Sequence, residues 1–164
     1  GAELLPYETY YTSVTLPTTA PTEEAETVVE PTIEYIAYTE LNPTTLTTVS
    51  DSEYYWLCQC VEAEAGSWND RFSYLVACCI LNLSDYYGQS IESNIFSGGF
   101  EVVDIGTIYS VSPSQMTIDA VNRALSEREY WVMAFCVGNA HDSWAVPVEQ
   151  YYSPYSGLCT FYTW

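Results

Sequence analysis

From residue 50 onward the chain is patterned; before it, it is not. Ser50-Asp51-Ser52-Glu53 fits a capping box, and Leu57, Val61 and Glu64 follow at i, i+4 and i+7, so the pattern predicts a helix to about Glu64. Gly66 and Ser67 break it. From Asn69, the residues Phe72, Leu75, Val76, Cys79, Ile80 and Leu83 recur with helical spacing and predict an amphipathic helix at the centre of the domain. "SIESNIF" (90–96) reads as a short helix stopped by Gly98-Gly99. Ser112-Pro113-Ser114-Gln115 is a second capping box with proline at its first helical position, and predicts a helix over about 113–127. Its inner face is Thr117, Ala120, Val121, Ala124 and Leu125, with Arg123 and Arg128 near the negative end of its dipole. "YWVMAFCV" (130–137) and "GLCTFYTW" (157–164) are rich in aromatic and branched residues and predict two strands that can pair. The expected fold class is α+β: a mostly helical domain over 51–164 with a small antiparallel sheet.

Residues 1–50 contain no Lys, Arg, Cys or Trp and are rich in Thr, Pro and Glu. This composition predicts an extended N-terminal arm or linker, of the kind that tethers a wall enzyme. Within it, "VVEPTIEYIAYTEL" (28–41) carries enough Val, Ile and Tyr to adhere to the domain or to a neighbour, so arm-mediated self-association is an open reading.

Charge changes the picture of partners. Three basic residues against 22 acidic ones give a formal net charge of −19, a field that repels nucleic acid and anionic membrane surfaces. No apolar run is long enough to span a bilayer, so membrane insertion is not expected. Six cysteines (Cys58, Cys60, Cys78, Cys79, Cys136, Cys159) either form disulfides or act as small buried apolar side chains. With a single histidine and no pair of separated Cys-x-x-Cys knuckles they do not form a zinc signature, and neither a metal nor a cofactor is expected.

The candidate chemistry lies in "VEAEAGSWND" (61–70), where Glu62, Glu64 and Asp70 gather at the corner between the first two helices. Glu64 shares a face with inward-pointing apolar residues and stands at the negative end of its helix in a negative overall field. All three effects favour its neutral form. A carboxylic acid kept neutral in an apolar cleft is the usual general acid for glycosidic bond cleavage. If water were the nucleophile, Glu101 or Asp104, after the Gly-Gly-Phe loop, would be the second carboxylate. Trp68, Phe100, Tyr109 and Trp144 are either sugar platforms or core side chains. Gly99, Asn139 and His141 complete the set of substrate-binding candidates. Asn82, on an apolar helix face, is expected to tie that helix to its surroundings through hydrogen bonds.

Residues 57–125 resemble the cell-wall hydrolase family that includes the spore cortex-lytic enzymes, whose pattern is a helix ending Glu-Ala-Arg-Gly-Glu followed by one ending Leu-Asn-Arg. Glu64-Ala65 and Leu81-Asn82 match it at the family spacing, and "SIESNIFSGGFEVVDIG" (90–106), "PSQMTIDAVNRALS" (113–126) and the closing "GLCTFY" extend the likeness. Gly66, Ser67 and Trp68 stand where Arg, Gly and Glu are typical, Leu83 replaces the Arg after Asn82, and Cys159 occupies the usual histidine. The resemblance implies a lysozyme-like fold, a secreted or wall-associated location, and cleavage of peptidoglycan glycan strands between N-acetylmuramic acid and N-acetylglucosamine. It further implies a lytic transglycosylase or muramidase with Glu64 as catalytic acid/base. The competing readings are a catalytically inactive glycan-binding module and a surface assembly protein. At −19, an anionic wall substrate is repelled at low salt, so activity should rise with ionic strength; a fall would imply a cationic substrate or partner.

Overall fold

In the computed structural model, residues 4–6, 47–138 and 143–164 are described. Helix α1 spans Asp51–Ala65, and its capping box is formed: the Glu53 N–H donates to Ser50 Oγ at 3.1 Å, and the Ser50 N–H donates to Glu53 Oε1 at 3.4 Å. The other Glu53 oxygen accepts the Ile91 N–H at 3.0 Å, so one acidic side chain serves the starts of two helices. Helix α2 spans Asp70–Tyr87, with Asn69 capping Phe72 N at 3.0 Å and Gly88 closing the far end in the left-handed conformation. Helices α3 (Ile91–Ser97), α4 (Glu101–Asp104) and α5 (Gln115–Ser126) follow, with a 3₁₀ turn at Thr107–Tyr109 before α5. The strands are β1 (Leu4–Pro6), β2 (Ala134–Val137), β3 (Val146–Ser153) and β4 (Gly157–Thr163), in the sheet order β1-β3-β4-β2.

The arrangement is α+β, as the periodicities predict. α2 is the hub: Leu75, Val76, Ala77, Cys78, Ile80 and Leu81 are all buried, because α1, α3, α5 and β2 pack around it. Phe72, in the first turn of α2, joins the helices to the sheet, its ring lying 5.0 Å from Phe161 on β4 and 5.8 Å from Tyr151 on β3. β2, β3 and β4 form the antiparallel sheet, with Phe135 opposite Phe161 and Tyr151 opposite Cys159. β1 adds a short parallel edge, Leu5 pairing with Tyr151. Part of the predicted arm therefore docks on the sheet; the stretch 28–41 lies outside the described residues.

Three boundaries differ from expectation. α5 begins at Gln115 with Ser114 as its cap, two residues later than the Ser112 box predicts. The reason lies in α1, whose Glu62 carboxylate takes the Ser114 N–H at 2.9 Å and fixes the helix start there. The strand predicted over 130–137 is confined to Ala134–Val137, where β4 supplies a partner. β3 is unanticipated; Pro147 interrupts its pattern, and the register shift between Pro147 and Glu149 absorbs the proline's missing donor. All six cysteines are free thiols, five of them buried, so the small-apolar reading holds over disulfides.

Candidate active site

The three acids of the α1–α2 corner part company. Glu62 turns under α5 and is buried, its Oε1 accepting Ser114 N at 2.9 Å and the Thr117 hydroxyl at 2.8 Å, and its Oε2 accepting the Ser67 hydroxyl at 3.0 Å. Burial raises its pKa above the ordinary carboxylate value, against the pull of those hydrogen bonds. Asp70 is exposed and caps locally, accepting the Arg71 N–H at 2.7 Å. Of the three, Glu64 alone lines the groove between helices and sheet.

That groove is an open cavity of about 720 Å³ between the end of α1, the middle and end of α2, the loop 97–101 and the edge of β2 and β4. Its inner wall is apolar, formed by Phe72, Cys79, Leu83, Phe100, Phe135 and Cys159. Gln89, Asn94, Ser97 and Ser156 bring polar groups to it, and Tyr87 and Trp164 also line it. The side chain of Asn94 is held by donating to Ile80 O at 3.1 Å. Glu64, half-buried, lines this groove with Glu101. Burial pushes the Glu64 carboxyl up to about 7, the negative charge of Glu101 pushes in the same direction, and a hydrogen bond from the Val102 N–H opposes both. Glu64 can therefore give or take a proton near neutrality. The Gly98-Gly99 turn that delivers Glu101 and Val102 needs glycine at position 99, where φ is +84°.

Gly99 and Phe100 line the groove together with Glu64. Trp68 does not. It is fully buried, its ring 5.2 Å from Phe72, because the turn after Gly66 folds it into the junction of helices and sheet; the platform expectation gives way to core packing. Tyr109 is exposed but outside the groove, in a cluster with Phe96 and Trp56 at 6.3 and 5.8 Å. Asp104 is exposed and also outside it. Trp144 is exposed and meets the groove indirectly, its ring 4.8 Å from Trp164. Asn139 and His141 lie outside the described residues. Trp164 and Tyr87 also line the groove and Tyr86 stands beside them, three aromatics absent from the sequence-based candidates. Tyr86 and Tyr87 follow the last apolar position of α2, and that break in its pattern is the signal that marks them as surface aromatics.

Asn82 behaves as its position predicts: its Nδ2 donates to Glu129 O at 3.0 Å and Val132 O at 2.9 Å, tying α2 to the segment that enters β2. The described residues include no group of three or more His, Cys, Asp or Glu side chains arranged to hold a metal ion, and no described helix is long and apolar enough to cross a membrane. Comparison with protein-family models, with curated proteins and with solved structures finds no match.

Proposed function

We propose that the groove holds a glycan strand and that Glu64 is the general acid that cleaves it, the activity being peptidoglycan glycan-strand cleavage of the lytic transglycosylase type. The observation that carries this reading is a half-buried carboxyl at the wall of an open groove, with its pKa brought to about 7 by burial and by Glu101. At neutral pH a substantial fraction of Glu64 holds its proton and can donate it to the leaving glycosidic oxygen. The carboxylate so formed then takes the proton of the muramoyl 6-hydroxyl as that oxygen closes on the anomeric carbon. No second carboxylate takes part in bonding; Glu101 acts by its charge, keeping the acid protonated. A secreted or wall-associated location accords with this activity.

Digestion of purified sacculi by the wild type and by Glu64→Gln, with mass spectrometry of the released fragments, tests the reading. Anhydro ends from the wild type and none from the variant support it; reducing ends would reassign the enzyme as a muramidase. Equal clearing by both proteins rejects Glu64 as the acid, and binding without clearing by both leaves a glycan-binding module.

A further inference from the structure

The groove does not stop at Glu64. Tyr87 and Trp164 line it, and Tyr86 and Trp144 prolong the same surface: Tyr86 lies 5.0 Å from Tyr87 and 5.1 Å from Trp164, and Trp164 lies 4.8 Å from Trp144. All four residues are exposed, between 38% and 63% of their area; among the described residues Tyr109, Tyr130, Tyr152 and Tyr155 are exposed too, but none of them lines the groove or joins this row of ring contacts. Such a row of edge-to-face rings offers flat faces to sugar rings and to cations.

Charge narrows the occupant. The chain's three basic residues are all arginines, and each is committed elsewhere. Arg71 is bound to Glu129 at 2.5 Å and Glu149 at 2.6 Å, Arg128 to Asp85 at 2.6 Å, and the Arg123 guanidinium lies 4.1 Å from the centre of the Tyr74 ring. None of them lines the groove, where Glu64 and Glu101 are the only charged side chains among the described residues. A substrate carboxylate or phosphate would find no counter-charge there, and the field of a chain at −19 would repel it. An ammonium group would meet Glu101 and the aromatic faces together.

We infer that the groove and its aromatic row, Tyr87, Trp164, Tyr86 and Trp144, take a glycan strand whose glucosamine units carry free amino groups. This rests on the reading that the groove holds a glycan, and it specifies which kind. The rings stack on the pyranose faces, and the acidic wall selects the de-N-acetylated units by their charge.

The test uses the full chain carrying Glu64→Gln, so that nothing is cleaved, with glucosamine hexamer, N-acetylglucosamine hexamer and hexalysine as probes in titration calorimetry. At about pH 6 and about 20 mM salt the glucosamine hexamer should bind at least about tenfold more tightly than the acetylated one, and the advantage should shrink several-fold at about 300 mM salt. Adding Trp164→Ala, or independently Tyr87→Ala, should weaken both sugars about fivefold or more. Adding Glu101→Gln should weaken only the glucosamine hexamer. Equal or tighter binding of the acetylated hexamer overturns the inference, as does absence of binding by either sugar. Hexalysine matching the glucosamine hexamer, with no effect of Trp164→Ala, also overturns it by showing a general acidic surface. Affinities in the expected order from a protein that cleaves no glycan would sink the general-acid reading and leave the ligand assignment standing.

Discussion

The Glu62 carboxylate accepts the backbone N–H of Ser114 at 2.9 Å, so a side chain of α1 closes the first turn of α5. It accepts the Thr117 hydroxyl as well, and the whole arrangement is buried. Replacing Glu62 by Ala takes the acceptor from three donors, the buried Ser114 N–H and Thr117 hydroxyl and the part-buried Ser67 hydroxyl, and should cost about 2–3 kcal/mol of stability. Urea denaturation at acidic and neutral pH checks this; a loss under about 0.5 kcal/mol would mean that α5 starts without help from α1.

Glu64 makes stability depend on pH. Its pKa in the folded chain, about 7, is raised from an ordinary 4.5. An acid with a raised folded pKa contributes stability that is fully present below the ordinary value and lost as pH climbs to the folded one. Between about pH 4.5 and 7 the wild type should therefore lose stability relative to Glu64→Gln, by no more than about 3 kcal/mol in total. Denaturation curves of the two proteins across that range should diverge; a constant difference would place the carboxyl in solvent.

The same titration governs turnover. Activity should fall as pH rises through about 7 because the proton donor is lost. Replacing Glu101 by Gln removes the neighbouring negative charge and should move that fall to lower pH. A pH–rate profile unchanged in this variant would show that Glu101 does not act on Glu64.

Arg71 joins three parts of the chain. It forms paired hydrogen bonds with Glu129 (2.5 and 3.0 Å) and with Glu149 (3.2 and 2.6 Å), linking the start of α2 to the approach to β2 and to β3. Arg71→Lys keeps the charge but loses the forked geometry and should destabilise by about 1–2 kcal/mol; Arg71→Ala should cost about 2–4 kcal/mol. Burial acts to raise the pKa of Glu129, but the hydrogen bonds from Arg71 and Trp131 outweigh it and lower the pKa. Its contribution is present above the ordinary carboxylate pKa and lost as pH falls through the folded one. Thermal melts should show the Arg71→Ala penalty shrinking at about pH 3.

Thiol accessibility can be counted. Burial raises the pKa of Cys58, Cys60, Cys78, Cys79 and Cys159, the last to about 12, and Cys136 alone is only half-buried. A disulfide exchange reagent should label one thiol in the native protein and six after denaturation.

The helices were legible because their signals are local. Ser50 and Glu53 form the cap that their spacing announces, Asn69 begins α2, and the Phe72–Leu83 spacing marks the core side of its hub helix. What escaped depends on distant partners. Ser114 rather than Ser112 starts α5 because Glu62, 52 positions away, takes its N–H. β3 was illegible because the strand carries a proline and acquires its regularity only from β4. At the site, the acidity of Glu64 followed from its helical register with Leu57 and Val61. The division of labour with Glu62 did not, since Glu62 and Glu64 are both acids at the end of one helix and only the packing of α5 tells them apart. Trp68 and Trp144 are the same residue type, but the turn at Gly66 buries the first, and the second stands exposed before β3 against Trp164.

Gly66 itself sets a limit on the corner. Its φ is +70°, and a Cβ there would lie 2.6 Å from the ring of Tyr155, in the β3–β4 hairpin. Any side chain at this place would need the Tyr155 ring to move aside and would strain the backbone of the turn. The corner and the hairpin are thereby coupled: a side chain at position 66 is accommodated only when the ring at 155 gives way, so a smaller residue at 155 should ease a substitution at 66 sterically while leaving its backbone strain.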